Sequence, residues 1–588
     1  MPTGDQHLDS QADSPTRPST SVALWAGAVV AVGLAVYFTV SVVIGAIRWT
    51  HPIPYWDMWD GHLSFWFELQ DGNTAIWWEF SNEHHLLLLK AIFWLNLQFF
   101  SGSTAFLIAG NLVLLAVLAG TLIVLSNARA TEILGRGRAL AGRVIIAAVI
   151  VTIVTAWMQG EDLTIGYHAQ WILITLLPIA LFLFIGLAST RDNRRGLYFG
   201  FAVAVSVLVP WAAASGLVAP FVAAVLAYLV GLGIKRFLVF VAIGAVSTVI
   251  YAIGHPIITS SSSGSGPISN LSSMPLDVLR FWLLYLGGPW ARVTDSQWIG
   301  GVAGALFAVI VVGYVIRQLR SSERSVFGLA TVAFPVFMLG MAFVTAAGRI
   351  SFGIEQVTAL RYLTPMLSAW ACLLILAAPA LLRRLEDGAS IVLLGLLIPP
   401  LLLLPEQEKA WDEPKQLLQS RDTATLAVAL NALDPEAITP VYPISPDRPL
   451  MLGQRARAEG VGVFADSPYA GLSDQLGTSG SFAPATQCFG WVDSRTPLEG
   501  SNLDRIDGWV VPDGQFVNDG VLFLLNAQGT ISGFIDVGRE RPDVLDEFPD
   551  AGGYSGYSGY LDRSVPTAEV FVASDDFRCS NPLTPAVP

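Results

Sequence analysis

Long apolar stretches alternate with short polar loops over the first 405 residues of the chain. A helix needs about 17–25 apolar residues to cross a bilayer, and this pattern predicts about eleven membrane spans. The predicted spans are 22–47, 104–126, 143–157, 171–189, 197–210, 216–233, 237–254, 298–316, 326–346, 362–382 and 389–404. The first stretch is too long for the core of a signal peptide, so it predicts a retained anchor after a disordered cytoplasmic tail at 1–21.

Basic residues fall mainly in one set of the predicted loops. That set holds 14 Arg and Lys residues, at 129–143, 191–195, 235–236, 317–324 and 383–384. Because Arg and Lys favour cytoplasmic loops, these loops and the N-terminus are predicted to face the cytoplasm of a plasma-membrane protein. Counting 86–100 as a span would turn the Arg-rich loop at 129–143 outward. This segment, which contains Lys90, is therefore predicted to be a helix on the outer membrane surface.

The composition divides the 588 residues into a membrane body and an acidic domain. Charged residues make up 13% of the chain, against about 25% in soluble proteins, which excludes an ordinary soluble enzyme, a disordered protein and a nucleic-acid binder. Residues 1–405 hold 19 acidic and 21 basic residues, whereas 406–588 hold 27 and 12. The span count places this acidic domain outside the cytoplasm, with a mixed, mostly β fold that includes a hairpin at 521–536. Cys488 and Cys579 could pair there.

The first predicted outer loop, 48–103, concentrates acidic and aromatic side chains. Asp57 and Asp60 stand three residues apart and would share one face of a helical turn. Tyr55, Trp56 and Trp59 offer aromatic surface that suits sugar rings, lipid chains or the membrane interface. An interface belt remains the alternative for the aromatic residues, and a solvated or ion-paired role remains open for the two acids.

Glu83, His84 and His85 end this loop directly before the interfacial helix. Together with Asp57 and Asp60, Glu83 and His84 could perform general acid–base chemistry or hold a cation. Asn82 and Glu83 could instead cap the helix that follows, which is the structural alternative. The chain has no HExxH motif, which disfavours a zinc protease.

Two more predicted outer loops carry polar residues. Gln159 and His168 in 157–171 could line a binding site, although a solvated turn is an equal alternative. The loop at 348–362 contributes Arg349, Glu355, Gln356, Arg361 and Tyr362. The two arginines suit a phosphate group, because the guanidinium fork can bind it through two hydrogen bonds. Snorkelling arginines, or an ion pair with Glu355, remain the alternative.

These features resemble the GT-C superfamily of membrane glycosyltransferases, which have about eleven spans, acidic residues in the first outer loop and a C-terminal extracytoplasmic domain. PYWDMWD, SNEHH and GRISFGIEQVTALRY look like motifs of a broad group of bacterial multi-pass proteins within it. The resemblance covers roughly 50–405, and two tail segments, GTISGFIDVGRERPDV and GGYSGYSGYL, look similar to the same group's C-terminal domain. That group commonly has Arg after NEH, where this chain has His85.

The resemblance implies an inverting transfer of sugar from a polyprenyl-phosphate donor to a glycan, lipid or protein of the cell envelope. Asp57 would be the base that accepts the proton of the acceptor hydroxyl, with Asp60 as the second choice. Some members use a divalent cation (Mg, Mn or Ca), for which Asp57 and Glu83 are the candidate ligands. The alternative is a non-enzymatic transporter of lipid-linked saccharide or an envelope-assembly scaffold, which ionisable residues at the bilayer midplane would favour.

Overall fold

The computed structural model describes residues 18–81, 84–254, 267–480, 482, 485–512, 520–551 and 553–585. This part of the chain is mostly helical, and it contains nine helices that are long and apolar enough to cross a membrane. They lie at Val22–Trp49, Thr104–Leu134, Leu140–Thr164, Gly166–Thr190, Ile234–Ile253, Gln297–Arg320, Val326–Phe352, Leu360–Glu386 and Ser390–Trp411. The predicted helical membrane architecture is therefore present, with two fewer long spans than predicted.

Seventeen helices build the described part of the membrane body. They are α1 (Pro18–Trp49), α2 (Phe65–Gln70), α3 (Leu87–Phe100), α4 (Thr104–Leu134), α5 (Leu140–Val154), α6 (Gly160–Thr164), α7 (Ala169–Thr190), α8 (Arg195–Leu208), α9 (Ala219–Leu229), α10 (Ile234–Gly254), α11 (Pro267–Ser273), α12 (Pro275–Leu286), α13 (Gly288–Thr294), α14 (Gln297–Arg320), α15 (Val326–Arg349), α16 (Leu363–Glu386) and α17 (Ser390–Glu408). The 14-residue α3 matches the segment that was predicted to lie on the membrane surface rather than span it.

The two predicted spans at 197–210 and 216–233 form the short helices α8 and α9. Pro210 follows α8 and Pro220 starts α9, and a proline removes a backbone donor, so neither helix reaches the length of its neighbours. Their connection reaches the first loop, where the Trp78 and Trp211 rings meet at 5.8 Å. Because two spans, an even number, are removed from the count, the predicted side of the C-terminal region is unchanged.

One end of the helical bundle, called here the loop face, gathers the loops that were predicted to carry chemistry. Residues 50–81, 84–86, 155–168 and 350–362 lie there, and α4 runs from this end at Thr104 to Leu134, beside the Arg-rich loop. At the opposite end, Arg129 donates to Tyr314 and Ser325. Acidic loops and Arg-rich loops are thus separated by the length of the helices.

The C-terminal region combines a helical layer with a nine-stranded, mostly antiparallel sheet. Its helices are α18 (Lys415–Ala429), α19 (Pro435–Ile438), α20 (Asp447–Glu459), α21 (Leu472–Gln475) and α22 (Pro542–Glu547). Its strands are β1 (Ala485–Thr486), β2 (Cys488–Pro497), β3 (Leu503–Pro512), β4 (Gly520–Leu525), β5 (Ile531–Arg539), β6 (Gly556–Asp562), β7 (Phe571–Ala573), β8 (Arg578–Cys579) and β9 (Thr584–Pro585), in the order β1-β8-β7-β4-β5-β6-β3-β2-β9. The predicted hairpin is confirmed as β4–β5.

The central strands β5 and β6 are buried on both faces, and side chains that alternate along them enter two different cores. On β5, Phe534 joins a core that includes Phe464 of the helical layer and Trp59 of the first loop. Ile535, its neighbour, joins a second core with Tyr557 and the disulfide of β2 and β8. One face of the sheet therefore holds the C-terminal region against the loop face of the membrane body.

Cys488 and Cys579 form a disulfide, and Cys372 is a free, buried cysteine. The bridge joins positions 91 residues apart. A crosslink over such a loop should stabilise the fold by about 4–5 kcal/mol in the chain-entropy account. A disulfide also suits an oxidising compartment, which agrees with the predicted extracytoplasmic side of this region.

We expect the double variant C488S/C579S to unfold at a lower denaturant concentration than the wild type, by the equivalent of about 4 kcal/mol. Treating the wild type with a reductant should produce the same shift, and the C372A variant should respond to reductant as the wild type does. Intrinsic fluorescence of the purified full-length protein in detergent measures the transition. An unfolding curve that reductant does not move would contradict a structural role for this bridge.

Candidate functional site

Asp57 lies in a turn of the first loop whose backbone is held by the C-terminal region. Trp56, directly before it, has φ of 49°, a left-handed conformation that a bulky side chain rarely adopts. The Trp56 amide donates to the carbonyl of Val441 at 2.8 Å, and this bond helps to fix the conformation. A short helix with π-type hydrogen bonding follows, over Trp59–Ser64. The turn therefore aims Asp57 in a direction set by a contact almost 400 residues away in sequence.

Four titratable side chains act electrostatically on Asp57, whose own side chain is open to solvent within a recess of the protein. The surrounding protein removes part of its hydration, which raises the pKa of this carboxyl above its usual 3.8, and the negative charge of Asp60 adds to the rise. This rise is opposed by His168 when its ring is protonated, and by the positive charges of Arg361 and Arg349. The structure thus brings together three loops that the sequence separates.

Asp60 contacts the C-terminal region directly. One oxygen of its carboxylate accepts from the Nε of Arg448 at 3.0 Å, and the other accepts from the hydroxyl of Tyr442 at 2.7 Å. Arg448 also donates to Ser64 on the same turn, at 2.8 Å. With both oxygens engaged, Asp60 is placed to attach the loop rather than to receive a proton from a ligand. These contacts match the ion-paired role that the sequence left open for Asp60.

Gln159 and His168 belong to a buried polar network beside Asp57. The Nδ1 atom of His168 lies 3.0 Å from a carboxylate oxygen of the buried Asp162. The hydroxyl of Thr364 lies 2.7 Å from the other oxygen and 2.6 Å from Oε1 of Gln159. Gln159 also donates to main-chain carbonyls of α5 and its end, so it is held inside the protein. The predicted binding role for Gln159 would require this network to open.

The loop at 348–362 supplies two arginines to the neighbourhood of Asp57. Arg349 lies 5.7 Å from the Phe352 ring, and Arg361 lies 5.3 Å from the ring of Tyr362, which is buried. Both arginines act electrostatically on Asp57, although they stand twelve residues apart in sequence, and their joint binding of a phosphate stays a prediction. Glu355 is exposed and Gln356 half-buried on the same loop.

His84 and His85 contact a different cluster. Nδ1 of His84 accepts from the amide of Ala214 at 3.2 Å. The His85 ring is buried, 4.8 Å from Tyr251 and 6.0 Å from Trp211. Both histidines thus attach the first loop to the α8–α10 part of the bundle. Glu83, predicted beside them as an acid or metal ligand, lies outside the described residues.

The aromatic residues of the loop divide by exposure. Trp59 is fully buried in the core shared with the C-terminal region, so the structure gives it a packing role in place of the predicted binding role. Trp56 is 50% exposed, and Tyr55 is half-buried, 4.5 Å below the guanidinium of Arg421. Tyr55 and Trp56 therefore remain able to meet a ligand.

The described residues contain no group of three or more His, Cys, Asp or Glu side chains that could hold a metal ion. The predicted cation ligands were Asp57 and Glu83, and the second of these is not among the residues described. Around Asp57 the structure instead places basic side chains, which repel a cation.

Two clefts lie on either side of the short segment 360–362. The groove-side cleft has a volume of about 320 Å³ and is lined by Tyr285, Arg292, Tyr362 and neighbours. It shares Leu284 and Gln297 with a mainly apolar groove between α12 and α14. That groove has a volume of about 610 Å³, and Leu276 and Trp298 in it are 77% and 76% exposed.

The domain-side cleft has a volume of about 220 Å³ and lies between the membrane body and the start of the C-terminal region. Its lining residues are Trp49, Tyr55, Trp157, Met158, Gly160, Glu161, Thr164, Ile165, Arg292, Leu360, Glu406, Lys409, Leu417 and Arg421. Leu360 faces this cleft and Tyr362 faces the other, while Arg361 acts on Asp57. The segment 360–362 is thus a partition between the two clefts.

Sequence reasoning missed the residues that the C-terminal region contributes. Arg421, Tyr442 and Arg448 lie in a segment with net negative charge, and charge counted over a whole region does not show which single arginine reaches another domain. Asp162 was visible as one acid of an outer loop, but its burial against Thr364 requires tertiary structure.

Comparison with known proteins gives no match, whether to a family model, to a curated protein or to a solved structure.

We expect Thr364→Val to lower the stability of the protein by about 1–3 kcal/mol, because it removes the one hydroxyl proton that the buried oxygens of Gln159 and Asp162 share. Thr364→Ser, which keeps the hydroxyl, is the matched control. Thermal unfolding of both variants in the same detergent measures the difference. Equal unfolding temperatures for the Val and Ser variants would show that the network contributes nothing to stability.

Proposed function

We propose that this protein is a membrane glycosyltransferase that moves a sugar from a polyprenyl-phosphate donor to a cell-envelope acceptor on the extracytoplasmic side. The observation that supports this is Asp57, an accessible carboxylate with a raised pKa on which Arg361 and Arg349 act electrostatically, on the loop face that also carries the two clefts. A raised pKa makes a carboxylate a stronger base. The two arginines are suited to the phosphate that leaves.

In the proposed reaction the acceptor hydroxyl loses its proton to Asp57 while its oxygen attacks the anomeric carbon of the donor. The bond from that carbon to the phosphate oxygen breaks, and the electron pair leaves with the polyprenyl phosphate. Arg349 and Arg361 stabilise the negative charge that develops on this leaving group. A single displacement inverts the anomeric centre, and it needs no nucleophile from the protein.

The same arginines link donor binding to the strength of the base. Their positive charge holds down the pKa of Asp57 while the donor site is empty. A bound phosphate neutralises part of that charge, so it raises the proton affinity of Asp57 when an acceptor can be activated. Binding of the donor therefore favours proton transfer in the ternary complex.

The two clefts suit two substrates of different chemistry. The groove between α12 and α14 is mainly apolar with exposed side chains, as a lipid chain requires, and it continues into the groove-side cleft at Tyr285 and Tyr362. The domain-side cleft mixes aromatic and charged side chains and is closed partly by the C-terminal region. We assign the donor to the groove-side cleft and the acceptor to the domain-side cleft.

We expect Asp57→Asn to abolish transfer, because the amide cannot accept the proton, while the protein folds as before. Asp60→Asn is the matched control, since Asp60 is held by Arg448 and Tyr442 and its loss should weaken domain attachment but leave activity measurable. Envelope glycans are compared in a strain lacking the gene, complemented with each variant at equal expression. A wild-type glycan profile with D57N would refute the assignment, and would favour a transporter or scaffold role.

The raised pKa of Asp57 predicts the acid side of the pH profile. The base works when deprotonated, so activity should fall as the pH decreases through a pKa above the usual 3.8. Arg361→Gln removes a positive charge that lowers this pKa, so the acid limb should move to higher pH, by about one unit. Arg383→Gln, an exposed arginine at the far end of α16, is the control. An R361Q profile with an unmoved acid limb would separate Arg361 from the base.

A further inference from the structure

Arg421, in the first helix of the C-terminal region, is a buried cation without an ion-pair partner among the described residues. Arg421 is 8% exposed, and its Nε atom has no hydrogen-bond partner in the part of the chain that the structure describes. The guanidinium lies 4.5 Å from the ring of Tyr55, with whose side chain it also forms a hydrogen bond, and it feels the charge of Glu161 at longer range. Burying an unpaired charge costs several kcal/mol, so such a group is a candidate for an external anion.

The nearest acid in sequence is already engaged. Asp422, directly after Arg421, has one carboxylate oxygen 2.8 Å from Nε2 of His51 and 2.9 Å from the hydroxyl of Tyr469. These contacts join the C-terminal region to the first loop. Asp422 is therefore not the ion-pair partner of Arg421. The Arg421 side chain instead lines two clefts, one beside His51 and the other beside Glu161.

The domain-side cleft carries a net positive charge. Arg292 and Lys409 share Glu406, at 3.2 Å and 2.6 Å. Glu161 and Arg421 are the remaining charged groups of the lining, so three cations face two acids. This balance contrasts with the acidic character of the C-terminal region as a whole. A cleft with net positive charge beside an acidic domain selects for anionic ligands and against cationic ones.

Aromatic side chains form the rest of the cleft surface. The rings of Trp49 and Trp157 lie 6.0 Å apart, and Tyr55 lies beneath Arg421. Flat aromatic faces beside a few charged groups suit a sugar ring that carries an anionic substituent. One wall comes from Leu417 and Arg421 of the C-terminal region, so a ligand here would touch both parts of the protein.

We propose that the domain-side cleft binds an anionic saccharide, whose carboxylate or phosphate group is held by Arg421. The proposal rests on the proposed function only in making this ligand the acceptor; the binding site itself does not depend on proton transfer to Asp57. The planar guanidinium can bind either anion through two hydrogen bonds, with an energy that a neutral sugar cannot match. Because Arg421 belongs to the C-terminal region, recognition of the acceptor would then require that this region is packed correctly against the membrane body.

Saturation-transfer NMR and calorimetry on the purified full-length protein in detergent test this with three probes. These are methyl glucuronide, glucose 1-phosphate and the neutral methyl glucoside. We expect at least one anionic probe to bind about tenfold more tightly than the neutral one. Inorganic phosphate and decyl phosphate distinguish the source of the anion. Tighter binding of decyl phosphate than of either sugar anion would overturn the saccharide assignment in favour of a lipid headgroup.

Two variants change the affinity in opposite directions. Arg421→Gln should weaken binding of the anionic probe by about tenfold or more, with Arg421→Lys intermediate. Glu161→Gln removes a negative charge beside Arg421 and should strengthen binding by about threefold. Arg324→Gln, exposed at the opposite end of the bundle, controls for net charge. Thermal unfolding checks that each variant folds. Unchanged affinity in both R421Q and E161Q would refute the site.

Asp57→Asn separates this proposal from the proposed function. The variant should bind the anionic probe as the wild type does, even where transfer is lost. If D57N leaves the envelope glycans unchanged while R421Q abolishes probe binding, the anion site stands and the transferase assignment fails. If D57N abolishes transfer while R421Q binds the probe normally, the transferase assignment stands and the anion site at Arg421 fails.

Discussion

The first loop and the C-terminal region share one hydrophobic core, and the geometry of the site depends on it. Trp59, Trp66 and Phe67 of the loop are buried against residues such as Phe464 and Phe534 of the C-terminal region. The burial of each of these rings stabilises the folded protein by about 1.5–3 kcal/mol. The association also fixes the backbone beside Asp57, because the left-handed turn at Trp56 is bonded to Val441. Without the C-terminal region, the loop would lose the surface that shapes it.

Polar contacts around this core give it a single register. Arg448 binds Asp60, Arg455 binds both oxygens of Asp71, and His51 contacts Asp422. Exposed ion pairs contribute little to stability, about 0–1 kcal/mol each. Their spacing along the loop nevertheless allows one alignment of the two parts. The same contacts occupy Asp60, which leaves Asp57 as the acid of this pair that remains open to a ligand.

Hydropathy predicted the long helices because the signal is local: a span depends on about 20 consecutive residues and on little else. It overestimated α8 and α9, where prolines at 210 and 220 limit the helices. The acidic tail, the β4–β5 hairpin and the capacity of Cys488 and Cys579 to pair were also readable, since each depends on composition or short-range pattern. The sequence identified the loops that carry the candidate site residues. It did not identify the residues that those side chains contact.

The sequence by itself determined a membrane body with polar chemistry at one end and an acidic domain after it. Those properties follow from runs and counts of residue types, which no folding step alters. Tertiary structure decided which of the polar residues act together. It turned Gln159 and His85 inward, bound Asp60 to Arg448, and brought Arg349, Arg361 and His168 to Asp57. It also placed Arg421 in the cleft between the membrane body and the C-terminal region. Contacts between residues hundreds of positions apart depend on shape and burial, and those exist only in the folded chain.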